Sequence, residues 1–153
     1  MKKNILIPDM VVPPAQIEHD VLGDKYNITV GEAQEVGDIP EEIWKQSHGI
    51  LAFYLIDYNA ELLSKSENCQ VIVRLGVGYD NIDLGEARCR NIAVCNVPDY
   101  GTEEVADHTL GLLLALVRGI PGYQQAIKNR NWARNDNITF RLSGKTIGII
   151  GLG

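Results

Sequence analysis

The stretch Val71-Ile72-Val73-Arg74-Leu75-Gly76-Val77-Gly78-Tyr79-Asp80-Asn81-Ile82-Asp83 reads as a strand, a glycine turn and the start of a helix. Its first residues are mostly β-branched, its centre holds two glycines, and Asp83 is an acid able to cap the helix-compatible segment Asp83–Arg90. Similar short apolar runs occur at Asn4–Ile7, Asn27–Val30, Ile50–Phe53 and Ile92–Cys95, so strand starts recur about every 21–23 residues. Between them lie Pro13–Leu22, Pro40–Gln46 and Asn59–Ser66, where prolines suit a first helical turn and Asn59 can cap. The runs are continuous Ile, Val and Leu instead of alternating apolar and polar, as a parallel sheet covered on both faces requires. The segments share no motif, so the rhythm is supersecondary and not a sequence repeat.

The expectation is an α/β fold with a five-stranded, doubly wound parallel sheet of flavodoxin-like type. At 153 residues, 45% hydrophobic and 22% charged, the chain can bury a real core. That composition excludes a disordered tail. Fourteen Lys and Arg against twenty Asp and Glu leave a net charge of −6, and no basic run tracks a phosphate backbone, so nucleic acid is not an expected partner. Cys69, Cys89 and Cys95 form no CxxC pair; they fit a reduced, cytoplasmic protein and imply no metal site. The apolar run after Lys2 and Lys3 is too short for a signal peptide. The longest apolar stretch, Val105–Val117, contains Asp107 and His108 and is well below the roughly 20 residues of a membrane span. It is expected to be a buried helix.

Past residue 100 the pattern changes. Thr102-Glu103-Glu104 offers a hydroxyl cap and two acids at the positive end of a helix, Glu103–Arg118, that is apolar nearly all round and therefore needs cover from a second domain or subunit. Gly119 and Pro121 end it and open another helix, Pro121–Lys128. Asn129–Arg141, with Trp132 and Phe140, reads as an extended arm, and Lys145–Gly153 as a strand running into a glycine turn. The expected division is a sheet domain over residues 1–100, followed by a linking helix, an arm and the start of a second domain over 101–153.

Two glycine clusters could carry chemistry. Gly151-Leu152-Gly153 is either an ordinary turn or the first half of G-x-G-x-x-G, whose glycines let a backbone approach a pyrophosphate. Leu75–Gly78 is either a tight strand-to-helix connection or a turn whose exposed N–H groups hold a small anion such as a carboxylate, since open α/β sheets bind ligands at the carboxyl ends of their strands. Tyr54, just after the third strand, faces the same edge. His108 beside Asp107 is not a dyad, because adjacent helical residues do not face each other.

Arg74–Leu84, Val94-Cys95-Asn96-Val97-Pro98, Glu104-Val105-Ala106-Asp107-His108 and Gly144–Gly153 resemble, in order and spacing, the D-isomer-specific 2-hydroxyacid dehydrogenases. The resemblance is strong over roughly residues 70–153 and rests on strand rhythm alone before that. It implies a flavodoxin-like substrate-binding domain joined to a Rossmann domain, and hydride transfer between NAD, or NADP, and a small 2-keto or 2-hydroxy acid. It further implies that Leu75, Gly76, Val77 and Gly78 form the loop whose backbone amides hold the substrate carboxylate, with Arg74 and Tyr54 also at the substrate. Val77, Thr102, Gly151 and Gly153 would lie at the cofactor, and the 105–117 helix with the arm around Trp132 would form a homodimer.

The family's catalytic Arg, Glu and His lie beyond its glycine turn and match nothing here, so no catalytic residue is assigned. His19, His48 and His108 stand outside that motif. The chain is accordingly expected to be the N-terminal portion of such an enzyme, a truncated product or a fragment, silent on its own. Tyr54 and Asp57 supply no basic residue for a phosphate, which counts against phosphoglycerate as substrate. The 74–107 segment also looks like the C-terminal-binding-protein branch of dinucleotide-sensing corepressors, and a stand-alone dimerising module is the third alternative.

Overall fold

The computed structural model describes residues 2–132 and 139–151. The chain divides into two compact units, Met1–Tyr100 and Gly101–Gly153. In the first, five strands alternate with four helices: β1 (Lys3–Ile7), α1 (Gln16–Leu22), β2 (Tyr26–Val30), α2 (Glu41–Gln46), β3 (Gly49–Ala52), α3 (Ala60–Lys65), β4 (Val71–Arg74), α4 (Leu84–Cys89) and β5 (Ala93–Cys95). All neighbouring strands are parallel and the sheet order is β2-β1-β3-β4-β5. This is the flavodoxin-like order, in which the chain leaves β1 toward one edge of the sheet and β3 toward the other.

Local chemistry sets the element boundaries. Asn59 Oδ1 accepts from the Leu62 amide at 3.0 Å and Asp83 Oδ1 from the Glu86 amide at 2.9 Å, so both expected caps start their helices. The first helix begins at Gln16 and not at Pro13, because Ala15 sits at φ 53, a left-handed conformation that a right-handed helix cannot run through.

The register aligns Leu6, Ile50 and Ile72 across three strands, so they share one face with Ala52. All four are fully buried and cluster with Trp44 of α2, Leu62 and Leu63 of α3 and Ala87 of α4. Right-handed crossovers put these three helices on that face and leave the opposite face to α1. There the expectation of full cover is corrected: Ile5, Leu51, Val71 and Val73 remain partly exposed. With Leu22 and Tyr26 they line a cavity of about 260 Å³.

Tyr58 lies at the base of the core, its ring edge-on to Trp44 with centroids 6.4 Å apart. Burial, with the Asp9 charge and Cys69 nearby, pushes its phenol far above the usual range. Burial likewise pushes the Cys69 thiol up to about 11, so this cysteine is a small apolar filler and not a nucleophile.

The second unit holds α5 (Thr102–Val117) and α6 (Ile120–Lys128), separated by Gly119 at φ 63. Gly101, not Thr102, occupies the cap position of α5; Thr102 is already helical, so its hydroxyl is not the expected N-cap. The expectation of a buried helix is also corrected. Val105 and Leu116 are 67% and 70% exposed, Leu110, Leu112 and Leu114 are exposed too, and only Val117 of α5 is buried. An all-round apolar pattern states that a helix wants cover without naming what provides it. Residues 145–150, read from sequence as a strand, join no ladder among the described residues, and Ile147, Ile149 and Ile150 are exposed. A strand requires a hydrogen-bonded neighbour, and the apolar run supplies only the propensity for one.

Candidate functional site

The β4 exit is a turn held from two sides. The Leu75 amide donates to the Ala52 carbonyl at 2.8 Å and the Gly76 amide to the Arg74 carbonyl at 2.9 Å, which fixes the turn against β3 and its own strand. The β5 exit takes up the turn's carbonyls: the Val97 amide donates to Gly76 O at 3.0 Å and Asn96 Nδ2 to Val77 O at 2.8 Å. No acceptor among the described residues takes the amides of Val77 or Gly78. Two successive N–H groups are thus left without a protein acceptor at the carboxyl end of a parallel strand, the edge at which open α/β sheets gather ligands.

Electrostatics at this turn come from Arg74 and Asp80. The Arg74 side chain folds back under Gly76, so closely that a Cβ on Gly76 would run into Nη1 and stand 2.9 Å from Cζ. A side chain at position 76 would have to displace this guanidinium. Arg74 Nε is buried with no hydrogen-bond partner among the described residues. On the outer side, Asp80 Oδ2 lies 3.5 Å from where a Cβ of Gly78 would stand.

The sequence-predicted residues separate by unit. Tyr54, 58% exposed, stands in the β3 exit loop, and Arg74–Gly78 form the β4 exit; both belong to the first unit and to the carboxyl edge of its sheet. Val77 is half exposed at the tip of the turn. Thr102 and Gly151 belong to the second unit. Gly151 has φ 95 and open space where a Cβ would be, the backbone freedom a phosphate-binding turn uses, but one glycine is not a cradle. Gly153 lies outside the described residues, as does the arm beyond Trp132 up to residue 138; Trp132 itself is 91% exposed. His48 sits just before β3, at the opposite edge from the turn, where its Nδ1 accepts from the Asn4 amide at 3.2 Å. No group of His, Cys, Asp and Glu among the described residues could hold a metal ion. None of the described helices is long and apolar enough to cross a membrane.

Sequence reasoning missed Asp9 and Asn81. Asp9 is fully buried at the β1 exit, with Oδ1 accepting from the Phe53 amide at 3.1 Å and Oδ2 from the Leu55 amide at 2.9 Å. Asn81 Nδ2 donates to the carbonyls of Phe53 and Ile56 at 3.1 and 2.8 Å. The available signal was an acid directly after the first strand of an open sheet, where ligand-edge residues gather.

A profile of the catalytic domain of D-isomer specific 2-hydroxyacid dehydrogenases matches residues 5–147. A D-3-phosphoglycerate dehydrogenase of Archaeoglobus fulgidus is 41% identical over 95 residues, which is 62% of this chain and 18% of that protein. A glyoxylate/hydroxypyruvate reductase of Arabidopsis thaliana is 40% identical over 96 residues, 62% of this chain and 31% of that protein. The chain therefore spans less than a third of either relative. Among solved structures, the D-lactate dehydrogenase of Aquifex aeolicus, complexed with NAD and lactic acid, superposes with a TM-score of 0.81 at 28% identity, covering 90% of this chain and 41% of that one. The NADPH-dependent glyoxylate/hydroxypyruvate reductase of Sinorhizobium meliloti, in complex with NADP and malonate, gives 0.75 at 28% identity, covering 100% of this chain and 47% of that one. With the parallel sheet and its glycine turn, these matches identify the chain as a member of the D-isomer specific 2-hydroxyacid dehydrogenase family.

Proposed function

We propose that this chain carries the substrate-holding side of an NAD- or NADP-dependent oxidoreductase that interconverts 2-keto acids and D-2-hydroxy acids. The observation that carries this reading is the pair of unclaimed amides at Val77 and Gly78, with the unpartnered Nε of Arg74 in the same turn. A carboxylate accepts from both amides, and Arg74 offsets its charge from beneath the turn. Tyr54 bounds the same edge and orients what the amides hold. The dinucleotide, when bound, supplies or accepts the hydride; Val77, Thr102 and the 151–153 glycines are the residues of this chain proposed to approach it. Of these, Gly151 alone is described with a positive φ, and one glycine is no complete cradle, so no chemical step is assigned to them.

Calorimetric titration of the chain with pyruvate and with its neutral amide tests the reading. Saturable binding of pyruvate and none of pyruvamide is expected, because only the acid offers an anion to the amides. Equal binding of the two, or binding of neither, contradicts it.

The exposed apolar residues of α5 support the further proposal that the 105–117 helix and the arm around Trp132 pair two copies of the chain. Sedimentation at a dimer mass is the expected result. A strictly monomeric, folded chain at all concentrations contradicts it.

A further inference from the structure

Tyr54 is bracketed by two hydrogen bonds that come from far away in sequence. The amides on either side of it, those of Phe53 and Leu55, both donate to the buried carboxylate of Asp9. From the other direction Asn81, part of the segment that leaves the 75–78 turn, donates its carboxamide to Phe53 O and Ile56 O. Asn81 is itself fixed against the β3 exit, since the Tyr58 amide donates to its carbonyl at 2.8 Å and the Asp83 amide to Tyr58 O at 3.0 Å. Two side chains thus occupy four backbone groups within residues 53–56 and join three strand exits.

Burying a carboxylate is costly unless its lone pairs are satisfied, so Asp9 persists at full burial because the two amides meet it. The segment it holds is not core. Tyr54 is its exposed tip, while Ile56 anchors inward. Rigid support behind an exposed aromatic, beside two unclaimed amides, is the arrangement that lowers the ordering cost of binding a small ligand.

We propose that Asp9 is a positioning residue of the substrate edge: with Asn81 it locks the 53–56 loop to the 75–78 turn, so that Tyr54 and the Val77 and Gly78 amides meet a 2-keto acid as one preformed surface. This rests on the reading of residues 75–78 as a carboxylate site.

The test uses the 153-residue chain and pyruvate as probe. In Asp9→Asn one acceptor becomes a donor facing an amide, so the Phe53 and Leu55 amides are expected to exchange with solvent about tenfold faster or more. The amides of Gln70 and Ala93, which donate to His48 O and Gln70 O at the amino edge of the sheet, keep their wild-type protection. The dissociation constant for pyruvate is expected to rise about tenfold, the loss that follows one hydrogen bond to a charged group. Asn81→Asp, which sets an acceptor against two carbonyls, is expected to act in the same direction from the opposite side, and it decides the matter if Asp9→Asn does not fold. Unchanged protection at Phe53 and Leu55, or a loosened loop with unchanged pyruvate affinity, overturns the assignment of Asp9. Absence of pyruvate binding in the wild-type chain overturns the carboxylate reading itself, and with it any role of Asp9 in binding.

Discussion

Mixed with NADH and glyoxylate, hydroxypyruvate or pyruvate, the 153-residue chain on its own is expected to oxidise no dinucleotide above the blank. Hydride delivery to a carbonyl carbon leaves an alkoxide that needs a proton from a positioned acid, and the acid must lie within hydrogen-bond reach of that oxygen. The turn at Leu75–Gly78 holds and orients, but it brings no such group. His48 stands at the amino end of β3 with Nδ1 already accepting from Asn4, at the wrong edge of the sheet. His19 lies in α1, and His108 belongs to the other unit. Steady oxidation of NADH that depends on the keto acid would overturn this account of which groups do the chemistry.

Trp44→Ala is expected to cost about 3–5 kcal/mol, the range for removing a large aromatic from a close-packed core. Trp44 is 1% exposed, its ring meets Tyr58 edge-on at an interplanar angle of 80°, and Nε1 donates to the Val36 carbonyl at 3.4 Å. Truncation removes the packing, the ring contact and the partner of that carbonyl together. A domain of this size has a total stability of about 5–15 kcal/mol, so the loss lowers the thermal midpoint by about 10 °C. The damage reaches the ligand edge, because Tyr58 carries the hydrogen bonds that join the β3 exit to Asn81 and Asp83. A midpoint within about 2 °C of wild type would show that α2 does not brace the core as described.

Much of the first unit was legible because each βα unit announces itself locally. A run such as Val71–Arg74 needs no distant information to be read as a strand, and Asn59 and Asp83 cap the helices whose starts they mark. The flavodoxin-like sheet followed from the strand rhythm and the continuous apolar runs, and the family resemblance agrees with it. Relations that depend on a partner were not legible. The apolar pattern of α5 was read as burial, yet its leucines are exposed in this chain. Residues 145–150 have the composition of a strand and no strand to pair with among the described residues. Thr102 looked like a cap because it is a hydroxyl before two acids, whereas the backbone turns helical one residue earlier than a threonine cap would allow.

The candidate site divides in the same way. The glycines at 76 and 78 marked the turn, but the guanidinium packed against Gly76 is a contact that no spacing encodes. Asp9 went unread, since its partners lie 44 and 46 residues further along the chain. A buried polar residue with distant backbone partners leaves no local signature.

The amides of Val77 and Gly78 are the groups proposed to hold a substrate carboxylate. A nitrogen-15-labelled chain titrated with oxamate, an unreactive 2-keto acid mimic, tests it most directly by NMR. Progressive, saturating shifts of the Val77 and Gly78 amide signals, larger than those of any other backbone amide in the chain, are the predicted result. Shifts that leave these two amides unmoved, or that centre on another glycine turn, would contradict it.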